Sequence, residues 1–215
     1  MDFWTRLEAL RAQRNVLEHP FYQRWSAGEL SKDELAHYAG EYHHAVVALA
    51  QASSSAAELV DPLTEPALHR SLQAHAEEEQ SHIALWEDFT DAVGGQEAQT
   101  PNSQTVACCE AWAGDTKRPL LDTLVALYTI EAGQPAISAT KREGLKAHYG
   151  IQEGPATAYF DLHEHLDVEH AQAARELIEE RLDGADEQRL LDQAERVLLA
   201  NWTLLDGVQM AALAA

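Results

Sequence analysis

The chain has 215 residues, of which 46% are apolar, so it is long enough to bury a core of domain size. Its 15 Lys and Arg against 36 Asp and Glu give a formal net charge of −21 at pH 7. A surface this acidic repels phosphate backbones and anionic lipid headgroups, which argues against nucleic acids and membrane surfaces as partners. No apolar run approaches the ~20 residues of a membrane-spanning helix, and the amino terminus lacks the pattern of a signal peptide. We therefore expect a cytoplasmic protein.

Helical periodicity runs through almost every long segment, and no strand pattern competes with it. A first amphipathic helix is predicted over about residues 3–16, followed by a short turn from Phe21 to Ala27. Ser31 and Glu34 then have capping-box spacing, which predicts the start of a long helix that ends near Ser55.

Five further helices are predicted in the rest of the chain. The first starts at Asp61-Pro62 or at Thr64-Glu65-Pro66, where proline suits the first turn. The predicted helices run from this start to about Val93, from Ser103 past Trp112, from Pro119 to Tyr149, from Pro155 to Leu182 and from Glu187 to Leu213. Seven to eight helices with short connections predict an all-α bundle that forms one domain over residues 1–215.

The segment from Tyr159 to His170 is the most informative part of the chain. At ~100° per residue of a continuous helix, His163, Asp167 and His170 fall within an arc of about 60°. Two imidazoles and one carboxylate suit divalent ions such as Fe(II), Mn(II) or Zn(II). The alternative is a solvated polar face, but two His and one Asp on so narrow a stripe favour a metal site.

A second half of this site is predicted near His82. Either Glu78 or Glu79 shares the helix face of His82, and Glu-x-x-His is the spacing of di-iron carboxylate bundles. Asp167-x-x-His170 repeats that spacing. A charged surface strip is the alternative for this segment taken alone.

Glu131 is the further candidate for a bridging carboxylate. It follows an apolar run from Leu124 to Ile130, so its helix is suited to burial, and a buried Glu is costly unless it is paired or binds metal. Pro135 removes the hydrogen bond to the Glu131 carbonyl, which predicts a kink at this point. Pairing of Glu131 with an Arg or a Lys is the alternative.

These residues and several flanking segments resemble the haem-oxygenase-like dimetal oxidases. The flanking likeness points to the branch that contains the chlamydial protein associating with death domains and its bacterial relatives, which make para-aminobenzoate. The segments that carry it are Leu17–Trp25, Gly28–Lys32, Tyr38–Tyr42, Ala126–Glu131, Gly144–Leu145 and Tyr149–Gly150. The resemblance implies a seven-helix haem-oxygenase-like fold, two transition-metal ions (iron, with or without manganese), O2 as co-substrate, an external reductant and a homodimer.

The resemblance also implies catalytic residues. In that branch the enzyme consumes one of its own tyrosines and takes the amino nitrogen from a lysine, and the matching positions are Tyr22 and Lys141. Tyr38 is a candidate relay for the oxidising equivalent. Two departures stand out: the stretch before His82 is shorter than in relatives, which leaves Glu78 and Glu79 open, and Ile130 replaces a tyrosine.

Three other functions compete with this hypothesis. A dimetal oxidase could act on an external small molecule such as an amino acid or a fatty acid. A thiamin-degrading hydrolase shares the helical architecture but needs an activated cysteine and no metal, so Cys108 and Cys109 would have to serve. The third is a non-catalytic interaction protein, and metal content separates the oxidases from the other two.

Overall fold

A computed structural model describes residues 1–115 and 118–214 of the protein, and within these ranges the chain forms helices and turns without a β-strand. The α-helices are α1 Phe3–Gln13, α2 Pro20–Ala27, α3 Lys32–Glu58, α4 Pro66–Ala92, α5 Ser103–Ala113, α6 Leu120–Glu131, α7 Gln134–His148, α8 Ala158–His163, α9 Leu166–Glu179 and α10 Glu187–Ala214. Two 3-10 turns cover Val16–Glu18 and Pro155–Thr157. The predicted all-α class is confirmed.

The described residues form ten α-helical segments where seven to eight helices are predicted, for two reasons. The prediction of a turn from Phe21 to Ala27 is wrong, because this segment forms the helix α2. The ring nitrogen of His19 caps the start of that helix. The helices predicted over residues 119–149 and 155–182 are each interrupted once.

The first interruption separates α6 from α7 immediately after Glu131. Ala132 and Gly133 lie between the two helices, and Pro135 occupies the first turn of α7, where its missing amide hydrogen costs nothing. The predicted kink is therefore a full break between helices.

The second interruption lies at Glu164 and His165, where no Gly or Pro predicts a break in the helix. The amide of His165 donates to the carbonyl of Leu162, which tightens the end of α8 before α9 begins at Leu166. The rotation of 100° per residue is therefore interrupted at this turn, but the side chains of His163, Asp167 and His170 still converge on one cluster.

The ends of α3 and α4 follow from their local sequence. Ser31 accepts a hydrogen bond from the amide of Glu34, and the Glu34 carboxylate accepts one from the amide of Ser31, so the predicted capping box is confirmed. Pro66, rather than Pro62, stands in the first turn of α4.

The core is arranged around α3, whose buried side chains pack against α4, α5, α6 and α10. α7 packs against α2 and α8, and α6 packs against α9. Gly144 permits the contact between α7 and α2, since a Cβ at this position would lie 2.5 Å from the Trp25 ring. Among the residues described, none of the helices combines the length and hydropathy needed to cross a membrane.

Candidate metal centre

Helix α4 presents three metal-binding side chains to the interior. His75, Glu79 and His82 are spaced four and three residues apart, so they lie on one face of the helix. Glu79 and His82 are each 2% exposed. The helix therefore offers two imidazoles and one carboxylate along two turns.

Three neighbouring helices complete the arrangement opposite α4. Glu131 is the last residue of α6, and His163 is the last residue of α8. Asp167 and His170 lie in the first turns of α9. Glu131, His163 and Asp167 are each at most 1% exposed, so the breaks after α6 and α8 place their polar side chains in the core.

One carboxylate oxygen lies at the centre of this cluster. Oε1 of Glu79 is 3.3 Å from Nδ1 of His82, 3.8 Å from Nε2 of His75 and 3.9 Å from Nδ1 of His170. Glu79 belongs to two groups of three, His75-Glu79-His170 and Glu79-His82-His163, each with donor atoms within 4.8 Å of one another. Glu79 is thus placed as a carboxylate between two adjacent half-sites.

Glu131 and Asp167 lie at the edge of the first half-site. Oε1 of Glu131 is 3.1 Å from Nε2 of His75, and Oδ1 of Asp167 is 3.5 Å from Nδ1 of His170. The rings of His75 and His170 are 4.4 Å apart, and those of His82 and His163 are 4.7 Å apart. The cluster therefore contains three buried carboxylates among four imidazoles.

Buried polar atoms without a hydrogen-bond partner are concentrated in this cluster. Each such atom ordinarily costs stability, so a group of them converging on one place indicates a site for a ligand. The atoms are His75 Nε2, Glu79 Oε1, His82 Nδ1, Glu131 Oε1 and Oε2, His163 Nε2, Asp167 Oδ1 and Oδ2, and His170 Nδ1. A mixed nitrogen and carboxylate set of this kind fits iron or manganese.

The protonation of His163 is fixed by its surroundings. Its Nδ1 is 2.6 Å from the carbonyl oxygen of Tyr159, which can only accept, so Nδ1 carries the hydrogen. Nε2 therefore presents a lone pair to the cluster. A ring nitrogen held in this way by a backbone carbonyl is the usual arrangement of a metal-binding histidine.

The cluster attracts positive charge. Burial works against protonation of His170, but Asp167, Glu131 and Glu79 outweigh it and raise the pKa of His170 to about 9. Burial likewise opposes protonation of His75, yet Glu131 and Glu79 raise its pKa. Burial also raises the pKa of Asp167. A bound cation and the protons on these histidines would compete for the same carboxylates.

The structure separates the two adjacent glutamates. The side chain of Glu79 lies inside the cluster, whereas that of Glu78 is 43% exposed and contacts the outer nitrogen of His170 at 3.2 Å. His75 is the residue that sequence reasoning missed. Its position seven residues before His82, two turns along the same face of the helix, was the available signal.

A cavity of about 210 Å³ borders the first half-site. Its apolar lining includes Leu72 and Leu127, and its polar lining consists of Ser71, His75, Glu78, Glu131 and His170. The second half-site instead faces the aromatic core through Tyr159, whose ring stacks on His163 at 4.0 Å. The two half-sites therefore have different surroundings.

Lys141 lies in a second buried region, the lysine pocket, which is formed by aromatic rings from four other helices. Its Nζ has no hydrogen-bond partner. The ring centroids that surround Nζ are those of Tyr42 at 4.6 Å, Trp86 at 5.2 Å, Tyr38 and Phe160 at 5.4 Å and Tyr22 at 5.6 Å. Burial lowers the pKa of Lys141 to about 7.

The two predicted catalytic tyrosines meet beside this lysine. The hydroxyls of Tyr22 and Tyr38 are 3.1 Å apart, and both side chains are buried. Burial raises the pKa of each phenol well above its usual value, so both are neutral. The structure thus collects Tyr22, Tyr38 and Lys141 in one pocket.

Aromatic rings connect the lysine pocket to the metal cluster. Tyr38 is 6.0 Å from Trp86 between ring centroids, Trp86 is 4.9 Å from Tyr159, and Tyr159 stacks on His163. The two buried regions are therefore neighbours, in contact through side chains of α3, α4 and α8.

The cysteines are poorly suited to nucleophilic chemistry. Burial raises the pKa of the Cys108 thiol well above its usual value and that of Cys109 to about 11. Since the thiolate is the reactive form, neither residue meets the requirement of a cysteine-dependent hydrolase.

Comparison with known proteins agrees with this geometry. The sequence model of one protein family, described as iron-containing redox enzymes, matches residues 62–202, a range that includes every residue of the metal cluster. A 4-aminobenzoate synthase of Chlamydia muridarum is 32% identical, over 96% of this chain and 89% of that protein. A 4-aminobenzoate synthase of Nitrosomonas europaea is 27% identical, over 96% of this chain and 90% of that protein.

Solved structures show the fold alone. A TenA homologue of Pseudomonas syringae superposes with a TM-score of 0.83 at 16% identity, over 97% of this chain and 91% of that one. A domain of unknown function with a haem-oxygenase-like fold from Shewanella denitrificans has a TM-score of 0.74 at 17% identity, over 99% and 94% of the two chains. The predicted haem-oxygenase-like bundle is confirmed.

Proposed function

Because this chain belongs to the family of iron-containing redox enzymes, we propose that it is a dimetal oxidase that makes 4-aminobenzoate from its own Tyr22. The proposal rests on one observation above the others: a lysine with a pKa of about 7 lies against the ring of a buried tyrosine, next to a cluster of metal-binding residues. The relatives named 4-aminobenzoate synthase support it.

Two metal ions would be held by the buried cluster, with Glu79 between them. The ligands proposed are His75, Glu79, His82, Glu131, His163, Asp167 and His170, and Glu78 is assigned to the outer nitrogen of His170. Bound iron, with or without manganese, would supply the redox chemistry by which O2 oxidises a phenol, with electrons restored by an external reductant. The three buried carboxylates offset the charge of two divalent cations.

In the proposed reaction a carbon–nitrogen bond to Nζ of Lys141 would replace the carbon–oxygen bond of the Tyr22 phenol, whose oxygen would leave as water, and the Nζ–Cε bond of the lysine and the Cα–Cβ bond of the tyrosine would break. O2, with the external reductant, would supply the oxidation that turns Cβ into the carboxylate. The lysine pocket prepares both partners of the carbon–nitrogen bond. Desolvation leaves about half of the Lys141 amines neutral near pH 7, and only a neutral amine has a lone pair to donate. The surrounding rings hold that amine within contact of Tyr22, which makes an internal reaction effectively very concentrated.

Tyr38 and the rings beyond it connect the two regions. The hydroxyls of Tyr38 and Tyr22 are hydrogen-bonded to each other. The Tyr38 hydroxyl is therefore placed to accept the phenolic proton of Tyr22 or to return it. We propose that the rings of Tyr38, Trp86 and Tyr159 carry the oxidising equivalent from the side of His163 to Tyr22. Exclusion of water by this aromatic layer protects the oxidised ring from side reactions.

The test is a single turnover of reconstituted protein. Protein loaded with Fe(II) under nitrogen is mixed with O2 and reductant, and 4-aminobenzoate is measured in solution. Peptide mapping should show loss of the Tyr22 side chain, and with 15N-lysine in the protein the product should carry 15N. Tyr22→Phe should abolish the product, whereas Tyr128→Phe, the matched control at a buried tyrosine whose hydroxyl donates to Glu8, should leave it unchanged.

An external small-molecule substrate is the second candidate, and the cavity of about 210 Å³ beside His75, Glu131 and His170 favours it. In that case O2 would be consumed with an added amino acid or fatty acid while Tyr22 stays intact in the peptide map. That result would replace the self-consuming reaction but keep the dimetal oxidase.

We also propose that residues 1–215 act as one domain, because α4, α6, α8 and α9 all contribute to one cluster. The homodimer and the cytoplasmic location expected from the sequence stay predictions. Sedimentation equilibrium of the purified protein tests the first, and fractionation of cells that express it tests the second.

A further inference from the structure

A second group of metal-binding side chains lies outside the site described above. His43 and His44 of α3 face Glu97, which belongs to the connection between α4 and α5. One ring nitrogen of each histidine and one oxygen of Glu97 lie within 4.8 Å of one another. None of these residues belongs to the buried cluster or to the lysine pocket.

His43 has an unsatisfied nitrogen at this place. The residue is 6% exposed, and its Nδ1 is buried without a hydrogen-bond partner. Nδ1 is 3.9 Å from Oε1 of Glu97, and Nε2 is 3.5 Å from Oε1 of Glu87, so carboxylates stand on both sides of the ring. Such an atom needs a ligand or a proton to offset its desolvation.

His44 is held in the form that binds a cation. Its Nε2 lies 2.8 Å from the backbone carbonyl oxygen of Ala98, which only accepts hydrogen bonds. Nε2 therefore carries the hydrogen and Nδ1 carries the lone pair. Backbone carbonyls fix metal-binding histidines in this way in many proteins.

The connection that carries Glu97 already lies directly on α3. The amide of Ala98 donates to the carbonyl of Gly40 at 3.4 Å, and a Cβ on Gly40 would lie 2.1 Å from the carbonyl oxygen of Gln96. Further along, Asn102 and Thr105 donate hydrogen bonds to Glu41. These contacts hold the backbone of residues 96–98 against α3, so the exposed side chain of Glu97 lies within reach of both histidines.

We propose that His43, His44 and Glu97 bind one divalent transition cation of the Zn(II) class, separate from the buried cluster, and that this cation fastens residues 95–102 to α3. Glu87 is placed to neutralise its second charge. Two imidazoles and one carboxylate form an established zinc-binding set, with a fourth position left for water.

The experiment counts two metals on the same protein. Protein whose buried cluster has been loaded with iron is dialysed under nitrogen against micromolar Zn(II), and iron and zinc are both measured per chain. We expect one zinc per chain without loss of iron, and at least tenfold slower amide exchange over residues 95–102. Glu97→Gln should lose the zinc and the added protection, as should His43→Asn. Glu58→Gln, at an exposed position of α3, should keep both the zinc and the added protection.

Two results would overturn the proposal. One is zinc that enters only as iron leaves, which would assign it to the buried cluster. The other is zinc that Glu97→Gln retains with unchanged affinity, which would make it a scattered surface ion. Because Glu97 is exposed, that variant is expected to fold whatever the outcome. Neither result touches the proposed oxidase, whose iron is counted separately.

Discussion

The metal cluster and the lysine pocket both contain buried ionisable groups. The cluster stabilises the charged forms of His75 and His170, whereas the pocket destabilises the charged form of its lysine. In the cluster, carboxylate oxygens lie 3–4 Å from imidazole nitrogens, and they raise the pKa of His75 and of His170 in spite of burial. In the pocket, Lys141 has only ring faces around it and no hydrogen-bond acceptor. Burial alone neutralises an amine, whereas burial with paired donors keeps charges and selects cations. One chain thus combines a cluster suited to cations and an amine with a lowered pKa in adjoining regions.

The largest expected effect comes from neutralising the carboxylate that both half-sites share. Glu79→Gln should lower the iron content of reconstituted protein at least about tenfold, because Glu79 is the only residue in both groups of three. Glu78→Gln is the matched control, and it should keep most of the iron since Glu78 touches only the outer nitrogen of His170. Elemental analysis decides, and the reverse pattern would assign the ligand to Glu78.

The second effect concerns the lysine pocket. Lys141→Met should raise the free energy of unfolding at pH 7 by about 4 kcal/mol, since folding lowers the lysine pKa from 10.5 to about 7. Protons bind the unfolded chain preferentially between these two pH values, so the gain should disappear as the pH approaches 10.5. The same variant should make no 4-aminobenzoate.

Urea unfolding at pH 7 and at pH 10.5 measures this difference. Lys146→Met, on the exposed side of α7, is the matched control and should change the stability little at either pH. Equal stability of Lys141→Met and the unaltered protein at pH 7 would mean that the amine stays charged and is solvated in the pocket.

Much of the cluster could be predicted from the sequence because its residues are polar and stand next to apolar segments or at helical spacing. Glu131 ends an apolar run, and His163, Asp167 and His170 repeat near helical spacing. His75 was not predicted, because the Glu-x-x-His spacing covers only Glu79 and His82 and His75 lies one turn further along the same face. The break at Glu164 and His165 could not be predicted, since no local signal accompanies it and only packing in the folded chain places it there.

The lysine pocket could not be built from spacing at all. Its rings come from α2, α3, α4 and α8, and no short segment shows that Tyr22, Trp86 and Phe160 surround one amine. Family resemblance singled out Lys141 and Tyr22 but did not reveal the depth of burial that lowers the lysine pKa. Tertiary structure is required for that, because desolvation depends on every neighbour.

The third expected effect sharpens the comparison through pH. The carboxylates around His170 raise its pKa from 6.5 to about 9, so in metal-free protein its stabilising contribution is complete below pH 6.5 and is lost as the pH rises to 9. A metal must displace that proton. The apparent affinity for Mn(II) should therefore rise about tenfold per pH unit over this window. An affinity independent of pH between 7 and 9 would mean that His170 is not a ligand.

The smallest expected effect concerns the hydrogen bond between the hydroxyls of Tyr22 and Tyr38 in the lysine pocket. Tyr22→Phe and Tyr38→Phe should each cost about 1 kcal/mol of stability, because either change leaves the remaining phenol buried without its partner. In the double variant no phenol is left unpaired, so its cost should be below the sum of the two single changes by about 1 kcal/mol. Urea unfolding of the metal-free proteins measures all three. Strict additivity would show that the two hydroxyls act independently, and then Tyr38 would have no direct means of receiving the proton of Tyr22. A measured coupling together with unchanged 4-aminobenzoate formation in Tyr38→Phe would keep the hydrogen bond but assign the relay to other rings, with Trp86 and Tyr159 the next to substitute.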